Sequence, residues 1–356
     1  MKLSVHLLTY NNEKYLPFCL KSLRDQMFQD FSVLIIDNNS QDGTVNFIEE
    51  YLADPKNKAF TAKTKLIKNT KNLGFAGAHN QAIQWTKSDY VFMMNPDVIL
   101  DSNYIKELVN FLDHNANSAA ATGVIYKWDL TKVNQGSLSK TKKIDSLGLK
   151  LLSSHKVIEL TDMPNQNKPQ EIFGVSGALP IYRRSALELI KMPIFHPSFK
   201  FYLNQKAPEL YEYFDNDFFC YKEDVDLAYR LRLFGFKAYL IPQAISWHDR
   251  TASAGTSTFK NRKIKSHFVN YHSYKNHLYF LIKNMPAKIW HRHFYQILPY
   301  EIIKIIYLIF LEQKTLTAFK ELIKNFPKML KKRTYIQKKA SEEAWKNIEK
   351  WLKTNY

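Results

Sequence analysis

The sequence predicts an α/β protein in which a mostly parallel sheet is flanked by helices and followed by a basic helical extension. Over residues 1–255, short apolar runs alternate with segments whose apolar residues recur at helical spacing. Such alternation is typical of a parallel sheet covered by helices on both faces. Over residues 256–356 the pattern is helical only, with aromatic and basic residues interleaved. We therefore expect an α/β region over residues 1–255 and a helical extension over residues 256–356.

The predicted elements alternate strictly over the first 115 residues. Strands are expected at LSVHLLTY, FSVLIIDNNS, TKLIKN and DYVFMMNPDV. Helices are expected at NNEKYLPFCLKSLRDQM, QDGTVNFIEEYLA, GFAGAHNQAIQWTKS and DSNYIKELVNFLDHN, the last with Asp101 as its N-cap. Ligands of such sheets sit beyond the carboxyl ends of the strands. Those ends are Thr9-Tyr10-Asn11, Asp37-Asn38-Asn39 and Asn95-Pro96-Asp97.

The remainder of the α/β region is less regular. Residues 126–170 are polar and rich in Lys and Ser, which indicates a loop or a hairpin excursion. EIFGVSGALPIYRRSALELI is expected to form a strand followed by a helix. YKEDVDLAYRLRLFGFKAYLIPQAISWH predicts a helix that stops at Gly235, then a strand and a second short strand.

Charge is distributed unevenly between the two regions. The whole chain has a net charge of +18, but residues 256–356 hold 21 Lys and Arg against 6 Glu and no Asp. Residues 1–255 are nearly neutral, with 30 Lys and Arg against 27 acidic residues. This asymmetry predicts a near-neutral enzyme joined to a segment that binds an anionic surface, either nucleic acid or anionic lipid.

The N-terminal sequence and the cysteine content are used to predict the cellular compartment. The N-terminus, MKLSVHLLTYNNE, becomes polar too soon for a secretory signal and instead indicates a buried strand. Cys19 and Cys220 are the only cysteines, so the chain has neither a disulfide framework nor a CxxC metal knuckle. Both features suit a reducing, cytoplasmic compartment.

One segment of the extension suggests membrane contact. QILPYEIIKIIYLIFLEQ is the most apolar stretch, but Glu301 and Lys304 interrupt it, and a span needs about 20 mostly apolar residues. An interfacial amphipathic helix is therefore favoured, with FPKMLKKRTYIQKK supplying positive charge beside it. The alternative is an ordinary helical core with a solvated basic face.

Two of the strand ends carry candidate ligand groups. Asp37 could accept hydrogen bonds from a nucleotide base or ribose, although Asp, Asn and Ser also favour turns and helix caps. Asp97, after the apolar run YVFMM, is well placed to hold a divalent cation, since Mg²⁺ and Mn²⁺ often take one or two carboxylates with phosphates completing the shell. A plain strand-to-helix turn explains the same residues.

A third acidic group, Glu223-Asp224-Val225-Asp226, precedes Arg230. Acids at a helix start suit the helix dipole, and Asp226 and Arg230 could pair on one face. Three crowded acids also allow one carboxylate to be tuned as a general base. His248, after the run AISW, is a metal ligand, a phosphate contact or a structural residue.

Taken in order, seven sequence blocks resemble those of the family 2 glycosyltransferases. They are SVHLLTYNN, IIDNNSQDGT, KNLGFAGAHNQAI, MMNPDV, GVSGALPIYRRSAL, YKEDVDLAYRLRLFG and WH, and they cover residues 1–255. The blocks look most similar to the bacterial rhamnosyltransferase-like branch. The resemblance implies a GT-A fold, a nucleotide-diphospho-sugar donor, Mg²⁺ or Mn²⁺, and inversion at the anomeric carbon.

The resemblance also implies roles for individual residues. Asp224 would be the catalytic base with Glu223 beside it. Asp97 would bind the metal and His248 would complete its shell. The donor would be contacted by Thr9, Tyr10, Asp37, Gly74, Phe75, Gly77, Asn80, Asn95 and Arg230, with support of the base as the alternative role of Arg230. Asn95 departs from the family pattern, because an amide replaces the first acid of Asp-x-Asp and is a poorer ligand for a hard cation.

The expected partners follow from both lines of argument. We expect a dTDP-rhamnose donor, with UDP-sugars next, and a glycan acceptor of the lipid-linked kind used in bacterial surface polysaccharide synthesis. The basic extension predicts peripheral attachment to an anionic membrane at the inner face of the plasma membrane, with no nucleic-acid partner, and the sequence allows an oligomer without predicting one. The rival classes are a nucleotidyltransferase, a nucleic-acid binder and a non-catalytic sugar-nucleotide-binding relative.

Overall fold

A computed structural model describes residues 1–132, 140–163, 167–195, 210–250 and 265–353. Its centre is a ten-stranded mixed sheet with the strand order β10-β14-β6-β11-β4-β1-β2-β3, to which β5 and β7 add at β14 and β6. The strands are β1 (Leu3–Thr9), β2 (Phe31–Asp37), β3 (Thr64–Lys68), β4 (Tyr90–Met94), β5 (Val98–Leu100), β6 (Ser118–Trp128), β7 (Lys140–Ser146), β8 (Leu149–Leu151), β9 (Val157–Glu159), β10 (Gln170–Ile172), β11 (Ile181–Arg183), β12 (Met192–Pro193), β13 (Tyr211–Glu212) and β14 (Lys237–His248).

Seven helices accompany the strands before residue 250. They are α1 (Leu16–Arg24), α2 (Thr44–Ala53), α3 (Lys58–Thr61), α4 (Gly74–Trp85), α5 (Tyr104–His114), α6 (Arg184–Ile190) and α7 (Glu223–Leu233). The predicted alternation of strand and helix is therefore confirmed, and so is the α/β class. The parallel part of the sheet is β3-β2-β1-β4 together with the pair β6-β14, and β11 joins the two parts by antiparallel pairing.

The register of the parallel strands brings the predicted ligand-side ends together. Thr9 of β1 lies beside Asp37 of β2, and Leu7 lies beside Met94 of β4. The turns that follow these strands consequently emerge at one edge of the sheet. The antiparallel pair between β5 and β14 places His248 opposite Val98, next to the Asn95-Pro96-Asp97 turn.

Several local predictions need correction. Of the two alternatives for residues 126–170, a loop or a hairpin excursion, the hairpin is the one found in much of the stretch, because β7 folds back on β6 and β8 pairs with β9. The two strands expected after Gly235 are one 12-residue strand, β14, with a break in register between Ile241 and Ile245 around Pro242. Pro lacks an N–H to donate, so it is tolerated at such a bulge. The N-cap of α5 is Asn103 and not the predicted Asp101. The Asp101 carboxylate accepts a hydrogen bond of 3.1 Å from the Asn103 N–H.

The described part of the extension, residues 265–353, contains four helices. They are α8 (His267–Asn284), α9 (Ala287–Leu311), α10 (Thr317–Lys339) and α11 (Ala344–Lys353). They share a buried apolar cluster with the α/β region, in which Phe218 and Tyr229 meet Tyr279, Phe280 and Trp351. The extension is thus packed onto the sheet region through a common core.

Helix α9 is inverted relative to an ordinary amphipathic helix. Its outward face is apolar and carries Trp290, Phe294, Leu298, Ile302, Ile303, Ile306, Ile309 and Phe310, all at least 40% exposed. Glu301 and Lys304 point inward instead, where Glu301 lies 2.6 Å from His277. Among the described residues, only this helix is long and apolar enough to cross a membrane, judged by length and composition.

Candidate active site

A cavity of about 510 Å³ lies between the carboxyl edge of the sheet and helices α8 and α9. Its floor comes from the turn after β4, the loop before β11, the start of α7 and the end of β14. The sequence-predicted residues that line it are Phe75, Asn95, Asp97, Glu223, Asp224 and His248. Asp97 and Asp224, far apart in the chain, therefore share one cavity.

His248 stands between two carboxylates at one end of this cavity. Its Nε2 lies 3.2 Å from Asp97 Oδ1, and its Nδ1 lies 2.9 Å from Asp145 Oδ2. Burial alone would lower the pKa of His248, but Asp97 and the hydrogen bond to Asp145 outweigh it and raise that pKa to about 9. The raised pKa favours the protonated imidazole, which is hydrogen-bonded to Asp145 and lies beside Asp97.

Asp145 was not predicted as a site residue. It lies on β7, is almost completely buried, and also accepts a 3.0 Å hydrogen bond from Arg250 Nε. Arg250 extends the network to Glu159, whose Oε1 it contacts at 2.9 Å. Asp145 fixes the tautomer and orientation of His248, which is how outer carboxylates commonly support a histidine ligand.

Asp224 lies in the first turn of α7, on the same cavity. Its Oδ2 accepts a 2.9 Å hydrogen bond from the Gly177 N–H, and its Oδ1 accepts one of 2.7 Å from the Val225 N–H. Burial, with repulsion from Glu159 added, raises the pKa of Asp224 above its usual value. A carboxylate held in place with a raised pKa has the properties of a general base.

Glu223 differs from its neighbour. Its side chain is buried, and its Oε2 has no hydrogen-bond partner. Burial, with repulsion from Asp224 added, raises the pKa of Glu223 well above the usual value. The surroundings of Glu223 therefore disfavour its charged form, whereas Asp224 keeps two backbone donors that favour its charged form.

The segment that leads into α7 has a strained backbone. Phe219, Tyr221 and Lys222 all have positive φ, between 61° and 67°. Such conformations cost a non-glycine residue about 1–3 kcal/mol each and persist only when the surroundings enforce them. One enforcing group is Asn276 of α8, whose Nδ2 lies 2.7–2.9 Å from the carbonyl oxygens of Phe218, Cys220 and Tyr221.

Gly74 belongs to the same arrangement. It has φ of +71°, and a Cβ built there would lie 2.4 Å from the Phe219 carbonyl oxygen. Glycine is required at this position because the backbone of the strained segment passes so closely. Gly74 is thus a packing contact for the segment before α7. Gly77 follows it on α4, where a Cβ would lie 3.1 Å from that of Leu73.

Buried ion pairs tie the extension to the acids around the site. Lys283 of α8 contacts Asp215 and Asp226, each at 2.6 Å. Lys332 of α10 contacts Glu212 at 2.7 Å and also pairs with Asp215. Burial alone would raise the pKa of Asp215, but the two ammonium groups hold it well below its ordinary value.

Arg230 requires a correction, because it does not contact the cavity. Its guanidinium is completely buried, pairs with Asp226 Oδ2 through Nε and Nη2 at 3.0 and 2.9 Å, and donates to the Ile190 and Tyr213 carbonyls. All of its nitrogen atoms are engaged by the protein. The structural pairing of Asp226 with Arg230, which the sequence left open, is the arrangement found.

Asn80 also needs correction as a donor-lining residue. Its Oδ1 accepts hydrogen bonds of 2.9 Å from the Tyr213 and Phe214 N–H groups, and its Nδ2 donates to the Phe214 carbonyl and to Asn216. The side chain is buried and fully used in holding residues 213–216. Asn80 therefore supports the segment that leads to α7.

The predicted nucleotide-contacting residues lie outside the cavity lining. Asp37 is buried and accepts hydrogen bonds from Thr9 Oγ1 at 3.0 Å and from the Ser40 N–H at 2.9 Å. Its turn interpretation is therefore correct, while a nucleotide contact by Thr9 or Asp37 stays a prediction. Tyr10 is 46% exposed beside them and also stays a predicted nucleotide contact.

The residues at the Asp97 end fit a divalent cation. Asp97 Oδ1 is buried without a hydrogen-bond partner, and the His248 Nε2 beside it is aligned by Asp145. In the described part of the chain, no group of three or more His, Cys, Asp or Glu is arranged so that it could hold a metal ion by itself. Two protein ligands are nevertheless enough for Mg²⁺ or Mn²⁺ when substrate phosphates supply the others.

A family model for glycosyl transferase family 2 matches residues 4–190, more than half of the chain. The chain belongs to glycosyl transferase family 2. The matched range includes the strand ends, the Asn95-Pro96-Asp97 turn and Asp145, and it ends before Asp224 and His248. The family expected from the sequence blocks is therefore confirmed.

Two relatives of this family member illustrate how far the similarity extends. An uncharacterized glycosyltransferase of Haemophilus influenzae is 27% identical over 117 residues, which are 33% of this chain and 34% of the relative. The poly(ribitol-phosphate) β-N-acetylglucosaminyltransferase TarS of Staphylococcus aureus is 30% identical over 117 residues, 32% of this chain and 19% of TarS. The matched part of the chain thus spans 34% and 19% of the lengths of these two relatives.

The fold is shared with a solved glycosyltransferase. The crystal structure of GalNAc-T7 with UDP, GalNAc and Mn²⁺ superimposes with a TM-score of 0.57 at 13% identity, covering 79% of this chain and 48% of that chain. At this identity the likeness concerns the fold alone. The GT-A fold with a helical C-terminal region, expected from the sequence, is confirmed.

Proposed function

We propose that the protein transfers a sugar, with inversion, from a nucleotide-diphospho-sugar to a hydroxyl group of a glycan acceptor. One observation carries the proposal: Asp97, His248 and Asp224 line a single cavity at the carboxyl edge of the sheet. A candidate cation site and a candidate base therefore face the same cavity, where both could contact one bound substrate. Membership of glycosyl transferase family 2 supports the same reaction class.

In the proposed reaction Asp224 takes the proton from the acceptor hydroxyl. That oxygen forms the new bond to the anomeric carbon, while the bond from this carbon to the nucleoside diphosphate breaks and its electrons leave with the diphosphate. The hydrogen bonds from Gly177 and Val225 hold the Asp224 carboxylate in place. Mg²⁺ or Mn²⁺ bound by Asp97 and His248 would neutralise the charge that develops on the leaving group.

We further propose dTDP-rhamnose as the first donor to test and UDP-sugars as the second. The sequence blocks typical of the rhamnosyltransferase-like branch support dTDP-rhamnose. UDP-sugars are supported by two similar proteins: TarS is named a β-N-acetylglucosaminyltransferase, and GalNAc-T7 was solved with UDP and GalNAc. A thermal-shift screen of nucleotide sugars with Mn²⁺ separates the two, because a ligand that binds only the folded state raises its stability by mass action.

We also propose attachment to the inner face of the plasma membrane and a lipid-linked acceptor of a surface polysaccharide. The outward apolar face of α9 supports this, because soluble proteins rarely expose such a large apolar patch. The basic residues of the extension add attraction to anionic lipid, worth about 1 kcal/mol for each Lys or Arg near the surface. In this proposal, the exposed apolar face of α9 contacts the membrane.

The deciding experiment is Asp224→Asn in the full chain. We expect transfer to fall by about 10²–10⁴, the usual value of general-base assistance, while donor binding is retained. Asp113→Asn is the matched control, because Asp113 lies near the surface in an ion pair with Lys2. Wild-type transfer by Asp224→Asn would refute the assignment of the base.

A second experiment addresses the cation. Asp97→Ala removes one of its two proposed ligands, so donor binding should weaken in the presence of Mn²⁺ and change little in chelator. Calorimetric titration of the donor under both conditions measures this. Equal binding by wild type and variant in Mn²⁺ would exclude Asp97 as a ligand.

A further inference from the structure

The cavity is lined by both acidic and basic side chains. The α/β region contributes the acids Asp97, Glu159, Glu223 and Asp224, and also the cation Arg250. The charged residues that the extension contributes, Lys265 before α8 and Lys304 on α9, are both basic. Two more lysines line the cavity beside them: Lys156 in the turn between β8 and β9, and Lys222 immediately before α7.

These lysines form a cluster near the proposed base. Burial is the largest cause that lowers the pKa of Lys222 to about 8; repulsion from Lys156 and Lys265 acts in the same direction, whereas Asp224 and Glu301 act in the opposite direction. All three lysines line the same cavity as Asp224, which lies two residues after Lys222 in the chain. Glu301, the acid of α9 nearby, contacts His277 at 2.6 Å.

The position of this cluster relative to the reaction identifies its ligand. In a single inverting displacement the acceptor oxygen and the leaving diphosphate lie on opposite faces of the anomeric carbon. Asp97 and His248 mark the diphosphate side, and Asp224 marks the acceptor side. A group of lysines beside Asp224 therefore faces the acceptor.

We propose that Lys156, Lys222, Lys265 and Lys304 form a subsite for a phosphate or diphosphate group carried by the acceptor. This inference rests on the proposed function, because the acceptor side is defined by Asp224 acting as the base. Lysine ammonium groups bind phosphate oxygens as compact point charges. The phosphate could belong to a lipid-linked diphosphate or to a phosphodiester of a soluble polymer, and both present the same charged oxygens.

The inverted helix α9 connects the subsite to a surface. Lys304 is 7% exposed on the inner side of α9, while Ile303 beside it is 53% exposed on the outer side. Tyr300, one turn earlier, also lines the cavity. One helix therefore presents a cation to the cavity and an apolar face to the outside, which is the arrangement that a lipid diphosphate at a membrane surface would meet.

The test is calorimetric titration of methylenediphosphonate into the full-length protein in EDTA. The chelator removes the competing cation site, so binding reports on the lysines. Lys265→Met and Lys304→Met should each weaken binding by about tenfold, as expected for one charged hydrogen bond. Lys87→Met is the control, because Lys87 is exposed at the opposite end of β4, and it should bind like the wild type. Thermal unfolding of every variant verifies that it is folded.

Two further titrants identify the source of the phosphate. Geranyl diphosphate should bind more tightly than glycerophosphoglycerol if the acceptor is lipid-linked, and no more tightly if it is a phosphodiester polymer. Either result supports the subsite when the lysine variants weaken it. Absence of diphosphonate binding in EDTA, or equal binding by wild type and both variants, would overturn it.

Donor turnover in the same preparations separates this inference from the proposed function. Lysine-dependent diphosphonate binding without any donor hydrolysis or transfer would leave an anion site and reject the transferase. Donor turnover that depends on Asp224, without diphosphonate binding, would leave the transferase and reject the subsite.

Discussion

The α/β region and the helical extension place their charges and apolar groups in opposite ways. The sheet buries its apolar strands, such as β4, completely. The extension exposes the apolar face of α9, and it buries Lys283 and Lys332, which are 0% and 1% exposed. Part of its basic character is thus internal and neutralises acids of the other region. The comparison shows that the extension completes the charge balance of the sheet region.

The largest expected effect separates buried from exposed lysines of α10. Lys332→Met would leave Glu212, Asp215 and Asp217 without a common cation, so we expect a loss of about 3–5 kcal/mol in the free energy of unfolding. Lys331→Met, at an exposed neighbouring position, should change it by less than about 0.5 kcal/mol. Urea denaturation measures both. Equal losses would show that the internal role of Lys332 is wrong.

The apolar surfaces of the two regions can be compared with matched residues. Ile303 on α9 and Leu189 on α6 are each 53% exposed. Ile303→Asn should weaken binding to phosphatidylglycerol vesicles roughly tenfold, because a partly buried aliphatic side chain contributes on the order of 1–2 kcal/mol. Leu189→Asn should leave vesicle sedimentation unchanged. A similar loss for both variants would remove α9 as the membrane contact.

As the pH falls, we expect the protein to lose transfer activity before it unfolds. The pKa of Asp224 is raised, so its carboxylate takes up a proton early as the pH falls, and transfer should decrease about tenfold per pH unit below that pKa. The pKa of Asp215 is lowered, so its contribution to stability is fully present above the ordinary value of about 3.9 and is lost only as the pH falls toward the lowered one. A pH–rate profile with circular dichroism at each pH measures both. Simultaneous loss of rate and structure would contradict this order.

The smallest expected effect concerns the contact between α8 and the segment before α7. Asn276→Ala removes the amide that holds the Phe218, Cys220 and Tyr221 carbonyls, and we expect kcat to fall about fivefold with the donor KM little changed. Asn325→Ala is the control, because Asn325 contacts Tyr279 and Glu321 within the extension. If both variants have the same kcat, Asn276 does not position the base.

The sequence predicted the sheet region well because its signals are local. Each strand is an apolar run, and the carboxyl ends of parallel strands must meet at one edge, which placed Asp97 in the correct cavity. His248 was assigned to the same site from its position at a strand end. Asp145 was missed because it lies in a polar stretch without periodicity, where only tertiary pairing of β7 with β6 makes a strand.

The contribution of the extension was not predictable in the same way. Lys283 and Lys332 look like solvent-exposed charges in a basic sequence, and only the packing of α8 and α10 against residues 212–226 reveals their acid partners. Asn276 carries no local signal either. Arg230 was misassigned because a family motif identifies the residue but does not determine whether its guanidinium points outward or into the core.

The strained turn before α7 has a practical consequence for protein engineering. Its left-handed residues are held from a helix that begins more than 40 positions later in the chain. In a chimera joined at residue 255, with a foreign segment in place of the native helices, this turn would lose the hydrogen bonds from Asn276. The buried acids Asp215 and Glu212 would also lose their lysine partners. Grafts of this catalytic unit should therefore retain the native chain through α10.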